Sequence, residues 1–87
     1  MKSKCTGRFW RLYHGLPAHV QARARRSYEL WKHDHSHPSL DFKKLKGGTS
    51  NRFSIRIGDH HRAIGRLMGD VVEWVWIGSH EDYNKLV

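Results

Sequence analysis

Arg56 and Arg62 flank the run Gly58-Asp59-His60-His61, and a tight hairpin at such a turn sets two guanidinium groups side by side. Guanidinium pairs match the oxygens of a phosphate better than any other side chains. His80 follows Trp76-Ile77-Gly78-Ser79, and a histidine, titrating near neutrality, can give or take a proton. Tyr83 stands where it could assist or stack on a base. Lys43, Lys44 and Lys46 add further positive charge. This set could cut RNA without a metal: the 2′-hydroxyl attacks the adjacent phosphate, which requires a base, an acid, and cations to meet the extra negative charge of the transition state. The candidate catalytic residues are therefore His80, Arg56, Arg62, Lys46 and Tyr83, with Lys43, Lys44, Arg52 and Arg66 as candidate RNA-binding residues.

Strand alternation has to position these groups. Phe53, Ile55 and Ile57 alternate with Arg52, Ser54 and Arg56, so burying the apolar set against a helix leaves the other set on an open face. Arg62 to Leu67 reads as the return strand, with Arg62, Ile64 and Arg66 sharing a face. Gly69-Asp70 signals a two-residue hairpin before Val71 to Ile77. That last strand is apolar on both alternating sets except for Glu73, which predicts an interior position. Upstream, Arg8 to Tyr13 has period-2 character and is expected to be a short strand. Pro17 favours a helix start, and Leu16, Val20, Ala24, Tyr28 and Trp31 fall on one helical face. Leu40 to Lys46, closed by Gly47-Gly48, reads as a short strand or extended turn, and the residues after Gly78 as a turn with a short polar end. The expected fold class is α+β, an N-terminal strand and helical region packed on one face of an antiparallel sheet, forming a single domain over residues 1–87.

Other chemistry-bearing residues have plainer readings. Lys32-His33-Asp34-His35-Ser36-His37-Pro38 resembles a metal site in composition, but a polar connector ended by Pro38 is the better account, because zinc needs a fixed ligand geometry; the same applies to His60-His61. Cys5 has no second cysteine to pair with and no neighbouring base to activate it. Arg23, Arg25 and Arg26 read as a solvated helix face.

The 87 residues carry 16 Lys and Arg against 8 Asp and Glu, a net charge of +8. This excludes a multidomain machine and an acidic solvating protein, and the four Trp, three Tyr and three Phe are too much apolar surface for a disordered basic tail. No apolar run approaches the roughly 20 residues that span a bilayer, and Met1-Lys2-Ser3-Lys4 leads into no signal-peptide core. A cytoplasmic location is expected, with an acidic macromolecule as partner. Seven of the basic residues fall between Lys43 and Arg66.

Leu16-Pro17, a basic helix, His37-Pro38-Ser39-Leu40, Lys43-Lys44-Leu45, Ser54-Ile55-Arg56-Ile57-Gly58, His61-Arg62-Ala63-Ile64-Gly65 and Trp76-Ile77-Gly78-Ser79-His80-Glu81-Asp82-Tyr83 occur in that order. The ordered set resembles the RelE/ParE superfamily of bacterial toxins from type II toxin-antitoxin systems. The resemblance implies an α+β toxin neutralised by a cognate antitoxin, small, acidic and partly disordered. It also implies a ribosome-dependent, metal-independent mRNA endonuclease without cofactor, as in the RelE branch. Arg56 and Arg62 match the strand arginines that bind and polarise the phosphate, the Lys43 to Lys46 run a basic or catalytic segment, and His80 a catalytic position, with Tyr83 a looser match. Glu81 directly after His80 departs from relatives that carry tyrosine there, leaving His80 or a neutral lysine as general base. The ParE branch shares the fold but inhibits DNA gyrase, so gyrase inhibition stands as the alternative, and a non-catalytic basic nucleic-acid-binding module as a second.

Overall fold

The computed structural model describes residues 2–46 and 51–87; the expected Gly47-Gly48 closure lies outside the described residues. In chain order the elements are β1 (Lys2–Cys5), α1 (Gly7–His14), α2 (Ala18–His33), a 3-10 turn (Pro38–Leu40), β2 (Lys43–Lys44), β3 (Arg52–Ile57), β4 (His61–Met68), β5 (Val71–Ser79) and α3 (His80–Leu86). The strands form one five-stranded sheet in the order β1-β5-β4-β3-β2. β1 runs parallel to β5 and every other pairing is antiparallel.

The strand expected over Arg8 to Tyr13 is instead α1. Thr6 caps it, its hydroxyl accepting from the Phe9 amide at 3.1 Å, which satisfies one of the orphan N–H donors at a helix start. Phe9 and Tyr13, four residues apart, then bury on one face, a helical spacing that outweighs the local alternation. The actual N-terminal strand is the polar segment Lys2–Cys5, held by parallel pairing with Val71 to Trp74. α2 agrees with the sequence pattern, burying Val20, Ala24 and Trp31.

The hairpins form as expected. Gly69, at φ 63°, takes the left-handed turn conformation that glycine adopts without strain. β5 is interior, between β1 and β4. Its pairing with β4 slips by one residue: Ile64 faces Trp76 and Gly65 faces Trp74, leaving Val75 as a bulge. A bulge reverses which side successive residues face, so Trp74 joins the larger core with Phe9, Ile55 and Ala63. Trp76 goes to a second, smaller core with Leu45, Ile64 and Tyr83.

That second core overturns the expectation of a polar C-terminal end and a fully open sheet face. Residues His80–Leu86 are a helix, capped by the Ser79 hydroxyl accepting from the Asp82 amide at 3.1 Å. Glu81 and Asp82 lie in its first turn, where negative charge offsets the helix dipole. Gly65 is required where the sheet meets the larger core, because a Cβ there would lie 2.8 Å from Phe53 Cζ and 3.1 Å from Trp74. Gly65→Ala is expected to lower the unfolding free energy by about 1–3 kcal/mol through overpacking, measurable as a lower urea midpoint at unchanged m-value; an unchanged midpoint would show that the two rings can move apart.

Candidate active site

Arg52, Arg56, Arg62, Arg66, Lys43 and Tyr83 lie on the sheet face that carries α3, whereas Lys44, paired with Phe53, falls on the opposite face, and the set divides into buried and exposed residues. Arg56 and Arg62 are cross-strand partners, as the hairpin spacing predicts, and Arg62 pairs onward with Gly78 of β5. One row thus crosses three strands and ends just before His80. Within the row Arg56 is exposed, whereas Arg62 is only 1% exposed.

The expected open position of Arg62 is therefore corrected. Its Nε and Nη2 donate to Ser54 Oγ at 3.2 and 2.9 Å, Nη2 donates to the Asp41 carbonyl at 2.7 Å, and Nη1 donates to Asp41 Oδ2 at 3.2 Å. Its guanidinium also lies over the Tyr83 ring, 5.1 Å from the centroid. A guanidinium keeps its charge at any accessible pH, and a buried charge must find acceptors. Here four of its five N–H groups find acceptors within the fold, and at 1% exposure the guanidinium is not presented to solvent.

Ser54 shares this correction. Expected on the open face, it is fully buried, because α3 and Leu45 of the segment after β2 cover the middle of the sheet. Its hydroxyl lies 2.9 Å from Tyr83 Oη. With both Ser54 lone pairs engaged by Arg62, the serine hydrogen is directed to the tyrosine oxygen. Tyr83 is 4% exposed, so it pins α3 to the sheet rather than reaching outward to stack on a base.

Asp41 completes the network from the far side. It follows the 3-10 turn in the left-handed region at φ 43°, a conformation in which aspartate is tolerated better than most residues. The corner presents both its carbonyl and its carboxylate to Arg62. Lys43 Nζ stands 3.8 Å from the same carboxylate, with its residue paired opposite Ser54. Sequence reasoning missed Asp41 and Ser54; the signal available was that Ser54 and Arg62 fall on one face of the same hairpin, Ser54 two residues before Arg62's partner Arg56.

The exposed set is Arg52, Arg56, Lys44, Lys46 and His80. Arg66 is tied to Glu73 at 2.6 Å, so its charge is partly answered. His80 is the first residue of α3, and its amide donates to the His60 carbonyl at 2.7 Å. Its Nδ1 lies 3.2 Å from the Asn84 amide nitrogen, which donates to it and leaves the neutral ring's proton on Nε2. The arrangement presents exposed cations and one orientable imidazole around a rigid buried centre.

The histidine-rich connector is engaged elsewhere: His35 stacks on Trp31 at 4.4 Å, and His37 Nδ1 accepts from the Ser39 amide at 3.1 Å. Among the described residues no three His, Cys, Asp or Glu side chains gather as a metal site. Burial pushes the Cys5 thiol up from its ordinary pKa, which keeps it in the unreactive thiol form. No helix among the described residues is long and apolar enough to cross a membrane.

A family model described as the ParE-like toxin domain matches residues 18–85. Among solved structures, a YoeB/ParE toxin from Agrobacterium tumefaciens is 22% identical with a TM-score of 0.75, the match covering 92% of this chain and 99% of that one. The RelB-RelE antitoxin-toxin complex from Methanococcus jannaschii holds a chain 22% identical at TM-score 0.74, covering 94% and 95%. YafQ from E. coli is 8% identical at TM-score 0.76, covering 94% and 96%. At these identities the likeness is one of fold. No curated protein sequence matches the chain.

Tyr83→Phe removes a hydroxyl from a buried pair and should lower stability by about 1–2 kcal/mol, read by chemical denaturation. Loss of activity at unchanged stability would instead place the phenol in the chemistry.

Proposed function

The chain belongs to the ParE-like toxin domain family, with the RelE/ParE toxin fold, and from that premise we propose that it is a ribosome-dependent mRNA endonuclease that inhibits translation. The observation that carries this reading is an exposed Arg56 at one end of the Arg56, Arg62, Gly78 row and an exposed His80 two residues beyond its other end. Arg56 supplies positive charge to a phosphodiester, supplemented by Arg52 on the same face and by Lys46. The 2′-oxygen loses its proton to a base and bonds to phosphorus, while the bond from phosphorus to the 5′-oxygen breaks and that oxygen takes up a proton. His80 serves one of the two transfers, and a lysine of the Lys43 to Lys46 segment remains the other candidate base. Arg62 and Tyr83 act as positioning residues, holding α3 and therefore His80 against the strand that carries Arg56.

The proposed partners are the ribosome with its mRNA, in the cytoplasm, and an acidic antitoxin that covers Arg52 and Arg56. A solved relative from Methanococcus jannaschii is an antitoxin-toxin complex, which supports the last of these. A second reading, gyrase inhibition, is favoured by one observation: Arg62 is spent inside the fold, which a scaffold without phosphate chemistry would also accommodate.

Mapping transcript 5′ ends after brief induction should reveal new cuts within reading frames. Arg56→Ala should slow cutting about a hundredfold, and His80→Ala by about 100- to 10,000-fold, both without unfolding the exposed positions they alter. Intact transcripts alongside growth arrest and blocked supercoiling in a gyrase assay would replace this reading with the second. Toxicity unaffected by His80→Ala would leave a binding module.

A further inference from the structure

A second row of charged residues crosses the sheet on the face that carries α3. Arg52 of β3 pairs with Arg66 of β4, Arg66 with Glu73 of β5, and Glu73 with Lys4 of β1. Four strands each contribute one charged side chain, and at about 4.8 Å between strands the row extends over roughly 14 Å. It lies four residues along β3 from Arg56 and four along β4 from Arg62, a separation of roughly 13 Å at the rise of a strand. The small core of Leu45, Ile64, Trp76 and Tyr83 sits between the two rows, with Arg52 and Arg56 both exposed along β3.

Three cations in this row answer to one carboxylate. Arg66 Nη2 donates to Glu73 Oε1 at 2.6 Å, while Lys4 Nζ stands 3.8 Å from Oε2. Glu73 is thus shared, and Arg52 makes no ion pair among the described residues. The side chains of Lys4 and Arg66 are 58% and 43% exposed, and ion pairs so open to water are weak and exchange for another anion at little cost. Lys2 shares the face, but its amide donates to the carbonyl of Asp70 in the adjoining turn, which puts a further carboxylate beside it, and it is not counted with the row. No member of the row is apolar or aromatic, so the row offers a protein partner no anchor of the kind that centres an interface, and it offers a nucleic acid contacts to phosphate rather than to bases.

We propose that Arg52, Arg66 and Lys4 hold backbone phosphates of the messenger strand to one side of the bond that Arg56 and His80 address, a proposal that rests on the endonuclease reading above. A strand held at two rows is fixed in direction as well as in place, which orients the 2′-oxygen for attack. Glu73 sets the strength of the hold: it occupies Arg66 and Lys4 in the free protein, and phosphates must displace it. Contacts of this kind are independent of base sequence and release counterions, so they are read in the salt dependence of binding.

The test measures binding of an uncleavable 2′-O-methyl oligoribonucleotide of about ten nucleotides to the full chain at several salt concentrations. Lys4→Gln and Arg52→Gln, both at exposed positions, should each weaken binding about threefold and lower the salt slope by about 1. Glu73→Gln should instead tighten binding about threefold, a gain that a merely structural role would not produce. If that variant does not fold, the two exposed substitutions decide alone. Unchanged slopes in both, with cutting by the unaltered protein intact, would overturn the row and leave the endonuclease reading standing. Lowered slopes with no cutting by the unaltered protein would support the row and remove that reading. Displacement of the oligonucleotide by a polyglutamate peptide of equal charge and at equal concentration would give the row to an acidic protein, and weaker binding of Lys4→Gln to ribosomes without messenger would give it to ribosomal RNA; either result would overturn the assignment to the messenger.

Discussion

A guanidinium that cannot lose its proton, buried at 1% exposure, is the constraint around which the candidate site is built. Burying one partnerless charge would cost more than a small domain can absorb, so each direction around Arg62 has to be answered. Ser54 answers from the next strand, Asp41 from a left-handed corner after the 3-10 turn, and the Tyr83 ring from α3. Three segments distant in sequence are thereby fixed to one point. His80 is the first residue of the helix so fixed, and Lys43 stands beside the same aspartate. The positions of Lys43 and of the helix that carries His80 are thus tied to a charge that never reaches the surface.

This produces a division of labour along a single row of the sheet. Arg62 and Tyr83 spend their polar groups inward and set geometry. Arg56, at one end, and His80, two residues beyond the other, are exposed. The shared fold of the family accommodates different targets, so activity has to be argued from the outward groups rather than from the scaffold. In the proposed reaction Arg56 supplies charge and His80 proton transfer, whereas an interaction surface alone would have no need of an imidazole just beyond such a row.

Much of this arrangement was legible in the sequence. The alternation of Phe53, Ile55 and Ile57, the glycine turns, the spacing along α2 and the pairing of Arg56 with Arg62 follow from local pattern and turn chemistry, and all appear in the structure. Other features depend on distant contacts. Arg8 to Tyr13 carries both a period-2 and an i, i+4 pattern, and the Thr6 cap with burial of Phe9 and Tyr13 decides for helix. Lys2–Cys5 is polar and becomes a strand only because β5 offers a parallel edge. The bulge at Val75 lets tryptophans two residues apart serve opposite cores, which strict alternation forbids. The burial of Arg62 required knowing that α3 returns over the sheet, and the polar run after Gly78 gave little sign of it.

The chemical form of the RNA ends tests the central claim most directly. If the exposed Arg56 and His80 promote attack by the 2′-hydroxyl, RNA cut on the ribosome by this toxin carries a 2′,3′-cyclic phosphate, or its hydrolysed 3′-phosphate, on the upstream fragment and a 5′-hydroxyl on the downstream one. Fragments bearing a 3′-hydroxyl and a 5′-phosphate, or no fragments from ribosomes saturated with folded protein, would contradict it.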